Sequence, residues 1–394
     1  MPETLSPPPA PAGPPLAHAV VALPPEIFAT LQRAVGALFR ISRLPAFQAL
    51  ADAEGGPTAR HVAGNFGVMM GYDFHLTPAG PRLIEINTNA GGALINARHS
   101  ARMIAPDIAR CLCRDWLPLE RLEERIVEMF RAEQQAAAPG RPLRRMAIVD
   151  VDPPSQFLSL EFELYRELLE RSGIACEIVD TAQLRRATSG GVTSTAHPDL
   201  PFDLVYLRDT DFLLEAERSR VLRVAWLAGE VTVTPSPREH HLLADKRRLI
   251  VFSDSKKLCE LGASEADVAL LDDVVPDTVS LEQLGLEAAW RERRDWVFKP
   301  AAAFGSRAVY RGDKISRRKL DEIARLGGFV AQRTVAPGEI EVGTPEGPIR
   351  MKSDARAYTY RDEILLMGAR AYQGQVTTMR TPGGGFSAIC VRAE

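Results

Sequence analysis

The chain has 394 residues, 45% of them hydrophobic and 25% charged, with a formal net charge of −3. That length exceeds one compact core and predicts two or three lobes. The near-neutral charge gives no electrostatic reason to expect nucleic acid as a partner, and no apolar run reaches the length of a membrane span, so no membrane partner is expected either.

Residues 1–24 are Pro-rich, lack the basic start of a secretory signal, and read as an extended, flexible arm. The five cysteines, Cys111, Cys113, Cys176, Cys259 and Cys390, are scattered and odd in number, with no CxxC pair. A reduced, cytoplasmic protein is the simplest reading.

Residues 25–60 read as helical. The stretch GYDFHLTPAGPRLIEINTNAGG, 71–92, reads as two short strands around a turn. Glu85 and Asn87 sit two apart and share a strand face. Asp73 comes back beside Glu85 across TPAGPR. Three oxygen donors on one sheet face is how a hard cation such as Mg²⁺ is held. Residues 101–137 read as helical and charged.

A βαβ unit follows within 141–235. RRMAIVDVD is a strand, QFLSLEFELYRELLERSG a helix closed by Gly173, and IACEIVD a second strand. FDLVYLRDTDF is a third strand ending in Arg208 and Asp209. Residues 188–199, rich in Gly, Ser and Thr, read as a flexible insertion. The alternation predicts a parallel sheet open at its strand ends. The first strand runs into DVDPPSQ with no GxGxxG, which argues against a Rossmann-type oxidoreductase.

In the segment 236–345, Lys246 opens a helix in ADKRRLI, where a solvated basic face shared with Arg247 and Arg248 is the plainer reading. WVFKP delivers Lys299 to a strand end. The following AAAFGSRAVY loop contains Gly305 and Ser306, small enough to bring backbone N–H groups to phosphate oxygens, with the lysine as a compact positive charge. FVAQRTV carries Gln332 into a Pro-containing link, an edge able to hydrogen-bond a flat heterocycle. Arg356 and Arg370 lie on the last two long strands, MKSDARAYTY and EILLMGARAY; a guanidinium fork matches phosphate, and an ion pair with Asp354, Asp362 or Glu363 is the structural alternative. QGQVTTMRTPGGGF is read as a closing Gly-rich loop.

Together these residues resemble the ATP-grasp superfamily. More closely they resemble its circularly permuted branch, which includes the synthetase domain of glutathionylspermidine synthase. The resemblance rests on Asp73 with Glu85-x-Asn87, Lys246, Lys299-Pro300 with AAAFGSRAV, FVAQRTVAP, and the DARAY and GARAY strands, over about residues 60–390. It implies an α/β fold with α+β lobes: a circularly permuted ATP-grasp fold with a Rossmann-like βαβ domain at 141–235. Residues 25–140 would hold the N-terminal helices and metal-binding strands, 236–345 the nucleotide-binding small lobe, and 346–394 the strands completing the large lobe. Because the E-x-N strand comes first, residues 60–100 and 350–394 should lie in one sheet.

The implied activity is an ATP-dependent, ADP-forming carboxylate–amine ligase working through an acylphosphate. ATP and two Mg²⁺ ions are the implied cofactors, with Asp73, Glu85 and Asn87 as metal ligands. Lys246 and Lys299 would contact phosphates, the Gly305–Ser306 loop would cover them, Gln332 would lie on the strand holding adenine, and Arg356 or Arg370 would stabilise the transferring phosphoryl group. Small-molecule carboxylate and amine substrates are the implied partners, and a homodimer follows the superfamily's habit. Arg98 and His99 are candidate anchors for the acid, with helix-start roles as the alternative. The sequence departs from the family in three ways. No amidase part precedes the synthetase segment, which predicts a single activity. Tyr72 stands where the family has an arginine, and the phosphate loop has one glycine among alanines. Glutathione and spermidine are therefore not the expected substrates. The second reading is an ATP-binding regulatory or scaffolding protein without ligase activity.

Overall fold

The computed structural model describes residues 13–104, 117–301, 308–374, 377 and 379–392. Gly305, Ser306, Cys111 and Cys113 fall outside the described residues.

The acidic stretch forms the expected hairpin, Met70–Thr77 and Gly80–Asn87. Tyr72, Phe74, Leu83 and Ile86 all point into one core. Leu83 and Ile86 are three apart, which simple alternation forbids. A bulge resolves this: Asp73 pairs with Glu85 and Phe74 with Leu83, leaving Ile84 as the extra residue. Glu85 and Asn87 are thereby turned to the face of Asp73.

This hairpin belongs to a seven-stranded sheet. Its order is Leu16–Leu23, Gly385–Val391, Glu363–Tyr372, Ile349–Tyr360, Met70–Thr77 and Gly80–Asn87, with Gly338–Val342 also paired to Ile349–Tyr360. The C-terminal half of Ile349–Tyr360 pairs antiparallel with Met70–Phe74, setting Arg356 opposite Asp73. Residues near both ends of the chain therefore share one sheet, as expected. The helix Pro25–Ser42 and the helix Glu265–Val274 cover one face, burying Leu31, Leu38, Leu271 and Val274 against Tyr72, Phe74, Ala355 and Ala357. The opposite face carries the polar residues.

A second sheet is wholly parallel, in the order Ala175–Asp180, Arg145–Asp150, Leu204–Leu207 and Thr232–Thr234. The helix Ser159–Arg171 packs in the core on one side and Arg220–Leu227 in the core on the other. A third, antiparallel sheet has the order Thr278–Ser280, Phe329–Arg333, Trp296–Pro300 and Tyr310–Arg311.

Four expectations need correction. Leu16–Leu23 of the expected flexible arm is an edge strand, parallel to Gly385–Val391, with Ala17 and Leu23 1% exposed. Burial alternates along it, with Ala17, Ala19 and Leu23 inward and Leu16, His18 and Val20 outward. The strand Gly385–Val391 begins inside the stretch read as the closing Gly-rich loop. The 188–199 insertion is ordered: Val192–Ser194 pairs with Leu184–Arg186, and Ser194 donates to Glu177 at 2.7 Å. Finally, Cys390 is disulfide-bonded, whereas Cys176 and Cys259 are free, so the chain is not uniformly reduced. Among the described residues no helix is long and apolar enough to cross a membrane.

Candidate functional site

The hairpin, the two arginine strands and the third sheet converge on one cavity of about 290 Å³. Asp73, Glu85, Lys299, Gln332 and Arg370 line it, together with the segment Arg333–Pro337. Five of the residues singled out in the sequence therefore meet at one wall-to-wall site.

Its centre is a buried ion network. Arg356 grips Asp73 with both arms of its fork, Nε to Oδ1 and Nη2 to Oδ2, each at 2.6 Å. Arg370 Nη2 reaches the same Oδ2 at 2.7 Å and Asp354 Oδ2 at 2.8 Å, while its Nε donates to Asp354 Oδ1 at 2.8 Å. Asn87 Nδ2 donates to Asp73 Oδ2 at 3.1 Å. Burial alone would push the Asp73 carboxyl up, but Arg356 and Arg370 overcome it and hold the carboxyl well below the usual range. Both arginines stay charged. Burial opposes this in each, and Asp73, joined by Asp354 at Arg370, outweighs it.

Lys299 and Gln332 come from paired neighbouring strands. Lys299 Nζ donates to Gln332 Oε1 at 2.7 Å and to the bulge carbonyl of Ile84 at 2.9 Å. One ammonium thus ties the third sheet to the acidic hairpin. Burial lowers the Lys299 pKa to about 8, against the pull of Glu85. Lys246 opposes the charge on Lys299 as well, which places it in the same neighbourhood. It sits in the turn before the short helix Arg248–Phe252, outside the helix proper. Its neighbours do not form the solvated basic face: Arg248 is 1% exposed and pairs with Glu54, and Arg247 pairs with Asp245.

Three partners were not singled out from sequence as site residues. Asp354 anchors Arg370 and also accepts from Thr377 Oγ1 at 2.9 Å. His75 lines the cavity, and its Nδ1 lies 2.9 Å from the Val335 carbonyl. A carbonyl only accepts, so Nδ1 carries the proton; burial pushes the imidazole pKa down and keeps the ring neutral. His75 stands two residues after Asp73, and that spacing was the available signal. Tyr72 points into the core beneath the sheet and is 0% exposed, so it replaces no arginine at the site. Arg98 pairs with Glu123, and His99 Nε2 meets the Ala17 carbonyl at 3.0 Å; both hold the fold together.

A second cavity, of about 590 Å³, opens at the C-terminal ends of the parallel strands. Thr88, Asn89, Asp150, Phe157, Arg208 and Phe212 are on its walls. It begins directly beyond Asn87 along the chain. Burial raises the Asp150 pKa to about 6. The loop that joins the two sites is held by Arg208, which donates to the Asn89 carbonyl at 3.2 Å, and by Glu161, which accepts from Gly92 N at 2.8 Å and Leu94 N at 3.1 Å. A further cavity, of about 740 Å³, lies at the opposite ends of the parallel strands and is lined by none of the expected site residues.

The donor set fits a hard cation in kind. Asp73, Glu85 and Asn87 each carry an oxygen donor, and Mg²⁺ needs few protein oxygens because it retains water. The Asn87 amide spends its nitrogen on Asp73, which leaves Oδ1 as the free end. Among the described residues no three His, Cys, Asp or Glu side chains cluster as a metal site.

No family model and no curated protein matches the chain. A solved putative gamma-glutamylcysteine synthetase from Methylobacillus flagellatus aligns over 91% of this chain and 85% of its own at 12% identity, with a TM-score of 0.49. A glutathione synthetase-like effector from Globodera pallida, in its apo form, superposes with a TM-score of 0.59 over 96% of this chain and 90% of its own, also at 12% identity. At that identity the likeness is one of fold: this chain is built like that glutathione synthetase-like protein.

Proposed function

We propose that the chain is an ATP-dependent, ADP-forming carboxylate–amine ligase with a circularly permuted ATP-grasp fold. The observation that carries this reading is the cavity between the third sheet and the acidic hairpin. One end offers the buried Gln332 amide and the extended edge Arg333–Pro337, and the buried Lys299 ammonium joins that end to the hairpin. The other offers the carboxylates of Asp73, Glu85 and Asp354 and the Arg370 guanidinium. A flat base at the first end would put its phosphates toward the second.

In this reading Lys299 and Lys246 bind the α- and β-phosphates. Asp73, Glu85 and Asn87 would hold Mg²⁺, two ions by the family's habit, which would supply positive charge to the phosphates when bound. Arg356 and Arg370 present fixed positive charge to the phosphoryl group as it passes to the substrate carboxylate. The acylphosphate is then attacked by the amine, and inorganic phosphate leaves. The body of a substrate lies in the second cavity, where the Asn87–Thr88–Asn89 run leads directly from the reacting centre.

Trapping with hydroxylamine tests the reading. Purified protein with ATP and Mg²⁺ is offered a panel of amino acids and small peptides. A ligase of this kind forms the hydroxamate of its own acid, with one ADP per hydroxamate. ADP formation with no hydroxamate from any acid, under any amine, would contradict an acylphosphate route.

A further inference from the structure

We infer that the second cavity takes an organic ammonium ion with an apolar body, and that Asp150 is its counter-ion. This deepens the ligase reading, in which a substrate's body lies there, and rests on it for its place in the reaction. Asp150 ends the strand Arg145–Asp150, is 8% exposed and lines the cavity. Its Oδ1 accepts from Val151 N at 2.8 Å. Among the described residues no donor meets its Oδ2, and no lysine, arginine or histidine forms an ion pair with it.

The charges around it are answered already. Arg218 donates to Asp209 at 2.8 and 2.9 Å through Nε and Nη2. Arg208 donates to the Tyr206 hydroxyl at 2.9 Å and the Asn89 carbonyl at 3.2 Å, with Glu161 at 3.7 Å. Arg380 lies over the Phe157 ring, 4.8 Å from its centre. Asp180 accepts from the backbone N–H groups of Asp152 and Ala182. Asp150 is the carboxylate left over. A buried carboxylate without a cation is costly, and an ammonium supplies both the charge and the missing donor. Burial holds its carboxyl up at about 6; Val151 N and Arg208 oppose that, and Asp209 and Asp180 add to it. Phe157, Leu158, Phe162 and Phe212 give the rest of the wall an apolar character suited to the ligand's body. The C-terminal ends of parallel strands are also where such sheets receive ligands.

Saturation-transfer NMR tests this, by titrating butylammonium and phenethylammonium, each beside the alcohol of the same skeleton, into wild type and Asp150→Asn. In wild type each ammonium should bind at least about tenfold more tightly than its alcohol, and in Asp150→Asn that advantage should fall below about threefold. No ammonium binding, equal affinity for ammonium and alcohol, or an advantage kept in Asp150→Asn would overturn the inference. If Asp150→Asn does not fold, the wild type decides. Its ammonium affinity should weaken by up to about tenfold per pH unit below about 6, as Asp150 takes up a proton. Burial opposes ionisation of Asp209 too, but Arg218 holds that carboxyl below its usual range, so it stays ionised there. An affinity constant from about pH 7 to about pH 5 would overturn the inference. Hydroxylamine trapping then separates the two sources of the ammonium. A raised KM for the acid in Asp150→Asn assigns it to the acid's own amino group, and a raised KM for the amine alone assigns it to the attacking amine; a change in neither overturns the inference. Ammonium binding in a protein that binds no ATP analogue would sink the ligase reading and leave this site standing.

Discussion

At the scale of residues, Lys299 carries the sharpest pH signature. Its pKa falls from 10.5 to about 8 because the ammonium is buried, and Glu85 only partly offsets this. The folded pKa lies below the unfolded one, so the unfolded chain binds the extra proton between these values. Burying the charge therefore costs stability below pH 8, and the cost disappears as pH rises towards 10.5. Nucleotide affinity moves the other way. Phosphates need the charged form, so above pH 8 binding must take up a proton. Affinity for an ATP analogue should weaken by up to about tenfold per pH unit there. Lys299→Met should bind weakly and lose that pH dependence. A wild-type affinity flat from pH 7 to 10 would remove Lys299 from the phosphate site.

At the scale of elements, the loop between the two cavities depends on Gly92. It has φ +96°, and a Cβ there would meet the Phe386 ring at 2.4 Å. Left-handed backbone and overpacking together should cost about 2–4 kcal/mol in Gly92→Ala. Denaturant unfolding measures it, and a change below about 0.5 kcal/mol would show that the helix Ala93–Met103 adjusts freely. Elements also show what the sequence could and could not tell. The acidic hairpin was legible from its two short strands around the TPAGPR turn, and the βαβ strands from short apolar runs on either side of a helix-spaced segment. The bulge at Ile84 was not, since alternation cannot reveal an inserted residue. Yet that bulge aims Glu85 and supplies the carbonyl for Lys299. Leu16–Leu23 was hidden because prolines flank it and its pairing partner lies at the far end of the chain.

At the scale of the whole molecule, the site exists only because two sheets meet. The hairpin near the start and the arginine strands near the end share a sheet, and Lys299 reaches across from another. The residue types were readable from spacing. The ion network was not, because Asp73 and Arg356 are 283 positions apart and only the register places them together. Asp354, taken from sequence as a mere ion-pair partner, turns out to share Arg370 with Asp73.

The central claim is that nucleotide and metal occupy this one site. The most direct measurement is isothermal titration of a non-hydrolysable ATP analogue into wild type and Glu85→Gln, with and without Mg²⁺. The account predicts binding by the wild type that strengthens at least about tenfold with Mg²⁺, a gain that Glu85→Gln largely loses. Equal gain in both proteins, or no binding in either, would contradict it.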